Sequence, residues 1–74
     1  MEMAVTPLER LRREADLSRP AVASALGISE RHLYRFERGV TRVRRPYAKV
    51  LAEVYELPLK TVEAAAEDTL KAAA

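Results

Sequence analysis

Arginine and tyrosine side chains recur along one short stretch of the chain at the spacing of a helical face. Successive residues of an α-helix turn through about 100°, which brings four of these side chains together: Arg31, Tyr34, Arg35 and Arg38. A guanidinium group makes paired, planar hydrogen bonds to phosphate oxygens and to the O6 and N7 acceptors of guanine. The spacing therefore predicts a helix that presents cations.

The opposite side of the same stretch is suited to packing. Leu33, Phe36 and Glu37 fall together there, with Gly27 before the helix and Gly39 at its close. An anchored inner face and an arginine-bearing outer face indicate a helix that contacts a polyanion. We interpret it as a recognition helix for DNA.

Length and residue usage exclude several other classes of protein. A chain of 74 residues forms one domain, and a domain of this size buries only about 60% of its unfolded surface, so it depends on good packing, an oligomer or a bound partner. The chain has no cysteine, and His32 is its one histidine, which excludes a disulfide framework, a metal site built on thiolates or histidines and most general-base schemes. We predict no metal, no cofactor and no enzymatic activity.

Targeting signals are also missing from the sequence. No apolar run approaches the length of a membrane span, and the first residues lack the basic and apolar regions of a signal peptide. We therefore expect a cytoplasmic protein without a membrane partner.

Charge is segregated along the chain. Residues 1–49 carry 11 Lys and Arg against 6 Asp and Glu, for a net +5, whereas residues 50–74 carry 2 against 5, for a net −3. Arginine supplies most of the cations, a bias that favours contacts with phosphate and guanine over general solubility. The alternative is a charged helical domain that is merely solvated, but it does not explain the segregation.

Local signals predict five helices and no strand, so the class is all-α. Thr6 is expected to cap the first helix, with Pro7 at its first position and Glu9 as the reciprocal acid of a capping box. Ser18 and Ser29 are expected to cap the second and third helices.

Glycine and proline set the remaining boundaries. Gly27 should end the second helix with a positive φ angle. Pro46 begins a fourth helix over residues 47–56, and Pro58 separates it from a fifth helix that begins near Leu59. The chain is thus expected to consist of a flexible leader (residues 1–5), a single domain (residues 6–71) and a frayed tail (residues 72–74).

The pattern from residue 17 to residue 39 resembles the helix-turn-helix of the phage repressor and Cro superfamily, also called XRE-like. The residues that carry the resemblance are Leu17, Ser18, Val22, Ala23, Leu26, Gly27, Ile28, Ser29, Leu33, Phe36, Glu37, Arg38 and Gly39. A small residue is needed at Ala23 because the recognition helix crosses there at close range, and Gly27 supplies a sharp turn. The similarity extends over about residues 6–62 and implies a five-helix, lambda-repressor-like DNA-binding domain.

The sequence departs from this family before the fifth helix. Glu56 stands where glycine is common, and Pro58 stands where a Ser or Thr cap is common. The basic N-terminal arm of some members is absent, so we expect no reading of the minor groove by an arm.

The resemblance also implies an ion pair beneath the recognition helix. Members commonly pair an arginine of the first helix with the glutamate of the Glu-Arg-Gly close, and here these residues would be Arg12 and Glu37. The pattern supports the pair, because Glu37 falls on the inner face beside Leu33 and needs a partner there. The alternative is two exposed charges.

By position match, the first turns of the recognition helix would meet base edges. Glu30, Arg31 and Arg35 are the expected base readers, although Glu30 either accepts a hydrogen bond from cytosine N4 or only interacts with the helix dipole. His32 is expected to contact a base edge or a phosphate, and a solvent-exposed bystander is the alternative.

A second group of side chains is expected to contact the DNA backbone. Arg19 matches a family position that binds phosphate, and Tyr34 would bind a phosphate through its hydroxyl or pack against a thymine methyl group. Further arginines would follow the backbone beyond the recognition helix, with a solvated loop as the alternative for one or two of them: Arg38, Arg42, Arg44 and Arg45.

These features predict a sequence-specific regulator of transcription that binds double-stranded DNA. We expect a repressor that binds a near-palindromic operator as a homodimer, through a dimer surface on the last two helices. The first alternative is an antitoxin or accessory factor whose main partner is another protein, with the acidic fifth helix as the contact. The second is a protein-binding module that has lost DNA binding, against which the intact arginine face argues.

Overall fold

The computed structural model describes residues 4–73, and most of these residues are helical. The five helices are α1 (Pro7–Glu14), α2 (Arg19–Leu26), α3 (Glu30–Glu37), α4 (Arg45–Tyr55) and α5 (Leu59–Ala73). Residues 4–73 contain no strand. The all-α class and the order of five helices are therefore confirmed.

Side-chain caps begin the first three helices. The hydroxyl groups of Thr6, Ser18 and Ser29 each accept a hydrogen bond from the amide three residues later, at 3.2, 3.2 and 3.1 Å. The predicted capping box at α1 is wrong in one respect, because the Glu9 carboxylate binds Arg13 instead of turning back, with a distance of 2.7 Å between Oε2 and Nη2. The start of each of these three helices is thus fixed by local contacts.

The first four helices end in the same backbone arrangement. A residue with positive φ follows each helix, its amide donates to the carbonyl three residues earlier, and the next amide donates to the carbonyl five residues earlier. This is the Schellman motif. The four positive-φ residues are Asp16, Gly27, Gly39 and Glu56.

Glycine holds only two of these positions. The φ angle of Gly27 is 71°, as predicted, whereas Asp16 and Glu56 adopt φ angles of 58° and 54° with a side chain present. A left-handed conformation costs an L-residue roughly 1–2 kcal/mol. Glu56, where the family commonly has glycine, therefore adopts a left-handed conformation at a cost in strain.

The predicted start of α4 needs correction. α4 begins at Arg45, two residues earlier than expected, because Pro46 fits its first turn, where an amide has no acceptor within the helix. α5 remains helical through Ala73, because alanine favours the helix and Ala73 packs beside Gly39. Ala74, the last residue of the predicted frayed tail, lies outside the described residues.

The core joins all five helices. Its main cluster is built from α2, α3, α4 and α5, with fully buried side chains that include Val22, Leu33, Phe36, Leu51 and Val62. A smaller cluster packs α1 against α5 and consists of Leu8, Ala65 and Ala66. The inner face of α3 is thus part of the main core, which fixes the orientation of its outer face.

Two threonines connect α1 to the rest of the fold. The buried Thr69 hydroxyl accepts from the amide of Leu8 at 3.1 Å and donates to the carbonyl of Ala65 at 2.7 Å. The Thr6 hydroxyl donates to the carbonyl of Glu37 at the end of α3. The amide of Leu8 and the carbonyl of Glu37 lie at helix ends, where they have no partner within their own helix. Thr69 therefore joins the start of α1 to α5, and Thr6 joins it to the end of α3.

Candidate nucleic-acid interface

The outer face of α3 is exposed and cationic. Arg31, Tyr34 and Arg35 all lie on it, and Tyr34 keeps 41% of its surface exposed. The inner face is buried and consists of Leu33, Phe36 and Glu37. The predicted division of this helix into two faces therefore holds for these six residues.

The N-terminal end of α3 offers several polar groups at the surface. Ser29 occupies the amide of His32 at 3.1 Å, whereas the amides of Glu30 and Arg31 precede any acceptor within the helix. The exposed Glu30 carboxylate lies in the first turn, where the helix dipole favours an acid. This end of α3 combines amide donors, a carboxylate and a guanidinium group within one turn.

His32 takes part in an aromatic cluster. Its ring centroid lies 4.6 Å from that of Phe36 and 6.0 Å from that of Tyr47, and the Phe36 and Tyr47 centroids lie 5.5 Å apart. These distances are typical of packed aromatic pairs, and His32 is half-buried. The imidazole is therefore only partly exposed, and it joins α3 to the first turn of α4.

Glu37 accepts arginine hydrogen bonds on both carboxylate oxygens. Its side chain is only 2% exposed, and Oε2 accepts from Arg12 Nε at 2.6 Å, so the alternative of two exposed charges does not apply. Arg12 Nη1 also donates to the Leu17 carbonyl at 3.1 Å. The other oxygen, Oε1, lies 3.2 Å from Arg19 Nε. One buried carboxylate thus connects α1, α2 and α3.

Tyr55 lies in the same buried region. Burial raises the pKa of the Tyr55 hydroxyl well above the ordinary tyrosine value, and the nearby Glu37 carboxylate raises it further, while Arg12 acts in the opposite direction. Removing the phenolic proton would place a second negative charge in a poorly solvated region. The hydroxyl is therefore neutral at and well above neutral pH.

Arg19 lies between the hidden carboxylate and the exposed face of α3. Its Cζ atom is 5.2 Å from the ring centroid of Tyr34, within the range of a cation–π contact. Its side chain keeps 32% exposure. The structure thus brings together two of the residues predicted to contact the DNA backbone, Arg19 and Tyr34.

The backbone at the start of α2 adds little to anion binding. The Ser18 hydroxyl occupies the amide of Ala21 at 3.2 Å, and Pro20 has no N–H group. Within residues 4–73, this leaves the amide of Arg19 as the one first-turn donor of α2 without a partner. Any attraction of this site for an anion therefore comes mainly from the Arg19 guanidinium group.

Arg38, the residue that follows α3, points away from Arg31 and Arg35. Its Nη1 atom donates to the carbonyl of Ala4 at 3.1 Å and lies 3.5 Å from Glu9 Oε1, and its side chain is 20% exposed. Ala4 is the first described residue of the predicted flexible leader, and residues 1–3 lie outside the described residues. Arg38 is thus held against α1 and is separated from the outer face of α3.

The segment after α3 places three more arginines at the surface. Arg42 lies 3.5 Å from Glu67 and Arg45 lies 3.5 Å from Glu63, measured between side-chain nitrogen and oxygen atoms. Arg44 is exposed and occupies the N-cap position of α4, where it makes no side-chain capping bond. The side chains of Arg42 and Arg45 are 67% and 68% exposed, so these ion pairs are weak.

Comparison with known proteins decides the family. The sequence model of a family described as a helix-turn-helix domain matches residues 6–66, which include α1 to α4 and the first half of α5. The chain belongs to the helix-turn-helix domain family. No curated protein and no solved structure gives a significant match. The family confirms the resemblance to XRE-like domains and indicates a DNA-binding regulator.

The helix-turn-helix domain was also compared with the requirements of a metal site and of a membrane span. Within residues 4–73, no group of three or more His, Asp or Glu side chains is arranged to hold a metal ion. In the same part of the chain, no helix has the length and apolar character needed to cross a membrane.

Sequence reasoning missed Glu9 as a buried member of the helix-turn-helix domain's charge network. Its side chain is 8% exposed and binds Arg13, four residues later on the same helix, and Arg38 at the end of α3. The spacing to Arg13 is a recognisable signal, because residues four apart share a helical face. The contact with Arg38 spans 29 residues and carries no signal in the sequence.

Proposed function

We propose that this chain is a sequence-specific regulator of transcription that represses by binding a near-palindromic operator as a homodimer. The observation that carries the proposal is the arrangement of α3. Its inner face packs in the core, while Arg31 and Arg35 are exposed on its outer face. A rigid helix with two free guanidinium groups fits the major groove, where arginine reads guanine.

Base readout would come from the first two turns of α3. Arg31 and Arg35 are one helical turn apart and both are exposed. Glu30 precedes them and is able to accept a hydrogen bond from cytosine N4. The packing of His32 against Phe36 restricts its ring, so a base contact by His32 would use a fixed orientation.

Contacts with the DNA backbone would lie on two sides of α3. Arg19 and Tyr34 stand on one side, and the exposed arginines after α3 stand on the other. The weak pairs of Arg42 and Arg45 with α5 are readily exchanged for phosphate, and Arg44 has no such pair to lose. Arg38 contributes less, because Ala4 and Glu9 hold its guanidinium group.

A dimer is proposed because one module has too little surface for tight binding at physiological salt. Two copies related by a two-fold axis would place their α3 helices about 34 Å apart, one turn of DNA. The dimer surface is assigned to α4 and α5, in the less basic C-terminal part of the chain, where residues 50–74 carry a net charge of −3.

The test begins with selection of binding sites from randomised duplexes, followed by titration of the selected duplex over a salt series. We expect a guanine-containing, near-palindromic site and a complex with two protein copies per duplex by mass measurement. Arg35→Ala should relax specificity at one base position, whereas Arg44→Ala should leave the preferred sequence unchanged and reduce the salt slope by about 1. A reporter gene placed behind the selected site would then report the sign of regulation.

Other outcomes separate the alternatives. Steep salt dependence without sequence preference would contradict a specific regulator. Absence of duplex binding would favour the antitoxin or accessory factor, whose main partner is a protein. A single copy per duplex would refute the homodimer while leaving sequence-specific binding in place.

A further inference from the structure

The guanidinium group of Arg19 is held on two sides by residues of α3. Its Nε atom donates to Glu37 Oε1 at 3.2 Å, and its Cζ atom lies over the Tyr34 ring at 5.2 Å from the centroid. Arg19 itself stands at the first position of α2. Two side chains of α3 therefore fix the orientation of Arg19, which belongs to α2.

The charges of this group favour anion binding. An arginine paired with its own carboxylate forms a nearly neutral unit and attracts phosphate weakly. Here the Glu37 charge is already matched by the buried Arg12, whose Nε lies 2.6 Å from the other oxygen. The unit of Arg12, Glu37 and Arg19 carries a net charge of +1, and Arg19 is its more exposed arginine, at 32% against 10%.

The hydrogen-bond donors point to the same conclusion. A guanidinium group has five N–H donors, and Glu37 occupies only the one on Nε. Within residues 4–73, the two terminal nitrogens of Arg19 have no hydrogen-bond partner. A phosphate group accepts two parallel bonds from such a fork, so the unoccupied edge of Arg19 matches this ligand.

We propose that Glu37 and Tyr34 are positioning residues that hold Arg19 ready for a phosphate group of the DNA backbone. The proposal rests on the proposed function, since it assigns roles within the same interface. An arginine side chain loses substantial rotamer freedom when it is fixed. Because Arg19 is fixed before DNA arrives, this cost does not fall on the binding step. Tyr34 then acts through its ring on Arg19, in place of the direct contact with a phosphate or a thymine methyl group expected from the sequence.

The first experiment measures binding of the selected duplex over a salt series by four variants: Arg19→Gln, Tyr34→Leu, Tyr34→Phe and the double variant Arg19→Gln/Tyr34→Leu. Arg19→Gln should weaken binding about tenfold and reduce the salt slope by about 0.9, the value for one phosphate contact. Tyr34→Leu should weaken binding about two- to fivefold, because it removes a cation–π contact. Tyr34→Phe keeps the ring and should lose clearly less affinity than Tyr34→Leu.

The double variant provides the decisive comparison. If Tyr34 acts through Arg19, the double variant should bind as Arg19→Gln does, because Tyr34 has nothing left to position. Additive losses, or equal losses for Tyr34→Phe and Tyr34→Leu, would overturn the role of Tyr34. Those outcomes leave duplex binding by the wild type intact, whereas a wild type that binds no duplex would refute the proposed function and the phosphate role of Arg19 with it.

A second experiment tests Glu37 without mutating it, since Glu37→Gln also removes the partner of the buried Arg12. The exchange of the Arg19 Nε proton with water is measured by NMR in the free protein, with the exposed Arg31 as the matched control. A hydrogen bond to a carboxylate that is 2% exposed should make the Arg19 proton exchange several-fold more slowly than that of Arg31. Equal exchange at the two arginines would overturn the role of Glu37.

Discussion

Gly39, at the close of α3, lies directly against the backbone of Thr69 on α5. A Cβ atom on Gly39 would stand 2.6 Å from the Thr69 carbonyl oxygen and 2.8 Å from the Ala73 Cβ atom. The φ angles of the two glycines are nearly the same, 71° for Gly27 and 75° for Gly39. A Cβ atom on Gly27, however, would have no neighbouring atom within 4 Å. The two glycines of the chain therefore separate the cost of backbone conformation from the cost of close packing.

This contrast predicts different effects of alanine at the two glycines. Gly27→Ala should lower the free energy of unfolding by roughly 1–2 kcal/mol, because only the left-handed backbone disfavours the side chain. Gly39→Ala should cost roughly 1–3 kcal/mol more, because the end of α5 must also move. Urea unfolding followed by circular dichroism measures both, and equal losses would show that α3 and α5 do not approach this closely.

Removal of Arg12 should be far more damaging than removal of Arg10. Arg12→Ala leaves the Glu37 carboxylate buried without its shortest ion pair, and breaking a buried pair from one side costs about 3–5 kcal/mol. Arg10→Ala, two residues earlier on α1 at an exposed side chain with no ion-pair partner within residues 4–73, is the matched control and should cost at most about 0.5 kcal/mol. Thermal unfolding provides the comparison, and an unchanged melting temperature for Arg12→Ala would contradict the buried pair.

Glycine at position 56 should stabilise the domain. Glu56 adopts a φ angle of 54°, and glycine relieves that strain but adds freedom to the unfolded chain, so the net gain should be about 0.5–1 kcal/mol. Glu53→Gly, three residues earlier at an exposed position within α4, should instead destabilise by about 1 kcal/mol. Urea unfolding of both variants is the measurement, and a loss of stability for Glu56→Gly would argue against a left-handed residue at this turn.

Stability should fall at alkaline pH because of Tyr55. The folded state raises the pKa of its hydroxyl above the ordinary value, so above about pH 10 the unfolded chain loses this proton while the folded chain keeps it. The unfolded state then binds fewer protons, and the free energy of unfolding decreases as pH rises, by at most about 1.4 kcal/mol per pH unit from this group.

The control for this effect is Tyr55→Phe, which removes the titrating hydroxyl and keeps the ring. Wild type and variant are unfolded in urea at a series of pH values from about 8 to 11. The difference in stability between the two proteins should be constant at the lower end and shift in favour of the variant above about pH 10. A difference that is independent of pH would contradict the raised pKa of Tyr55.

The starts of the first three helices were predictable from the sequence because they depend on neighbours in the chain. Ser18 and Ser29 bond to amides three residues away, and a hydroxyl followed by a helical pattern is a local signal. The glycine turn at Gly27 is local for the same reason. The strained turns at Asp16 and Glu56 carried no such signal, because a side chain there is disfavoured and only the surrounding packing enforces the conformation.

Long-range polar contacts divide in the same way. The pair of Arg12 and Glu37 was anticipated through the family, and its geometry is that of a buried ion pair. The hydrogen bond from the Leu8 amide to the Thr69 hydroxyl spans 61 residues, and no local sequence pattern at either residue predicts it. Arg19 was expected to contact phosphate, but its orientation by Glu37 depends on how α2 and α3 pack, which spacing along the chain does not specify.

The shared carboxylate of Glu37 has a consequence for how this protein can change by mutation. Oε2 pairs with the buried Arg12 and Oε1 with the more exposed Arg19. A substitution of Glu37 therefore changes the stability of the fold and the orientation of a surface arginine together. Under the proposed function, evolution toward a new operator would avoid position 37 and change Arg31 and Arg35 instead. The side chains of both arginines have no ion-pair partner within residues 4–73, so substitutions there would alter the preferred bases while the scaffold beneath them stays the same.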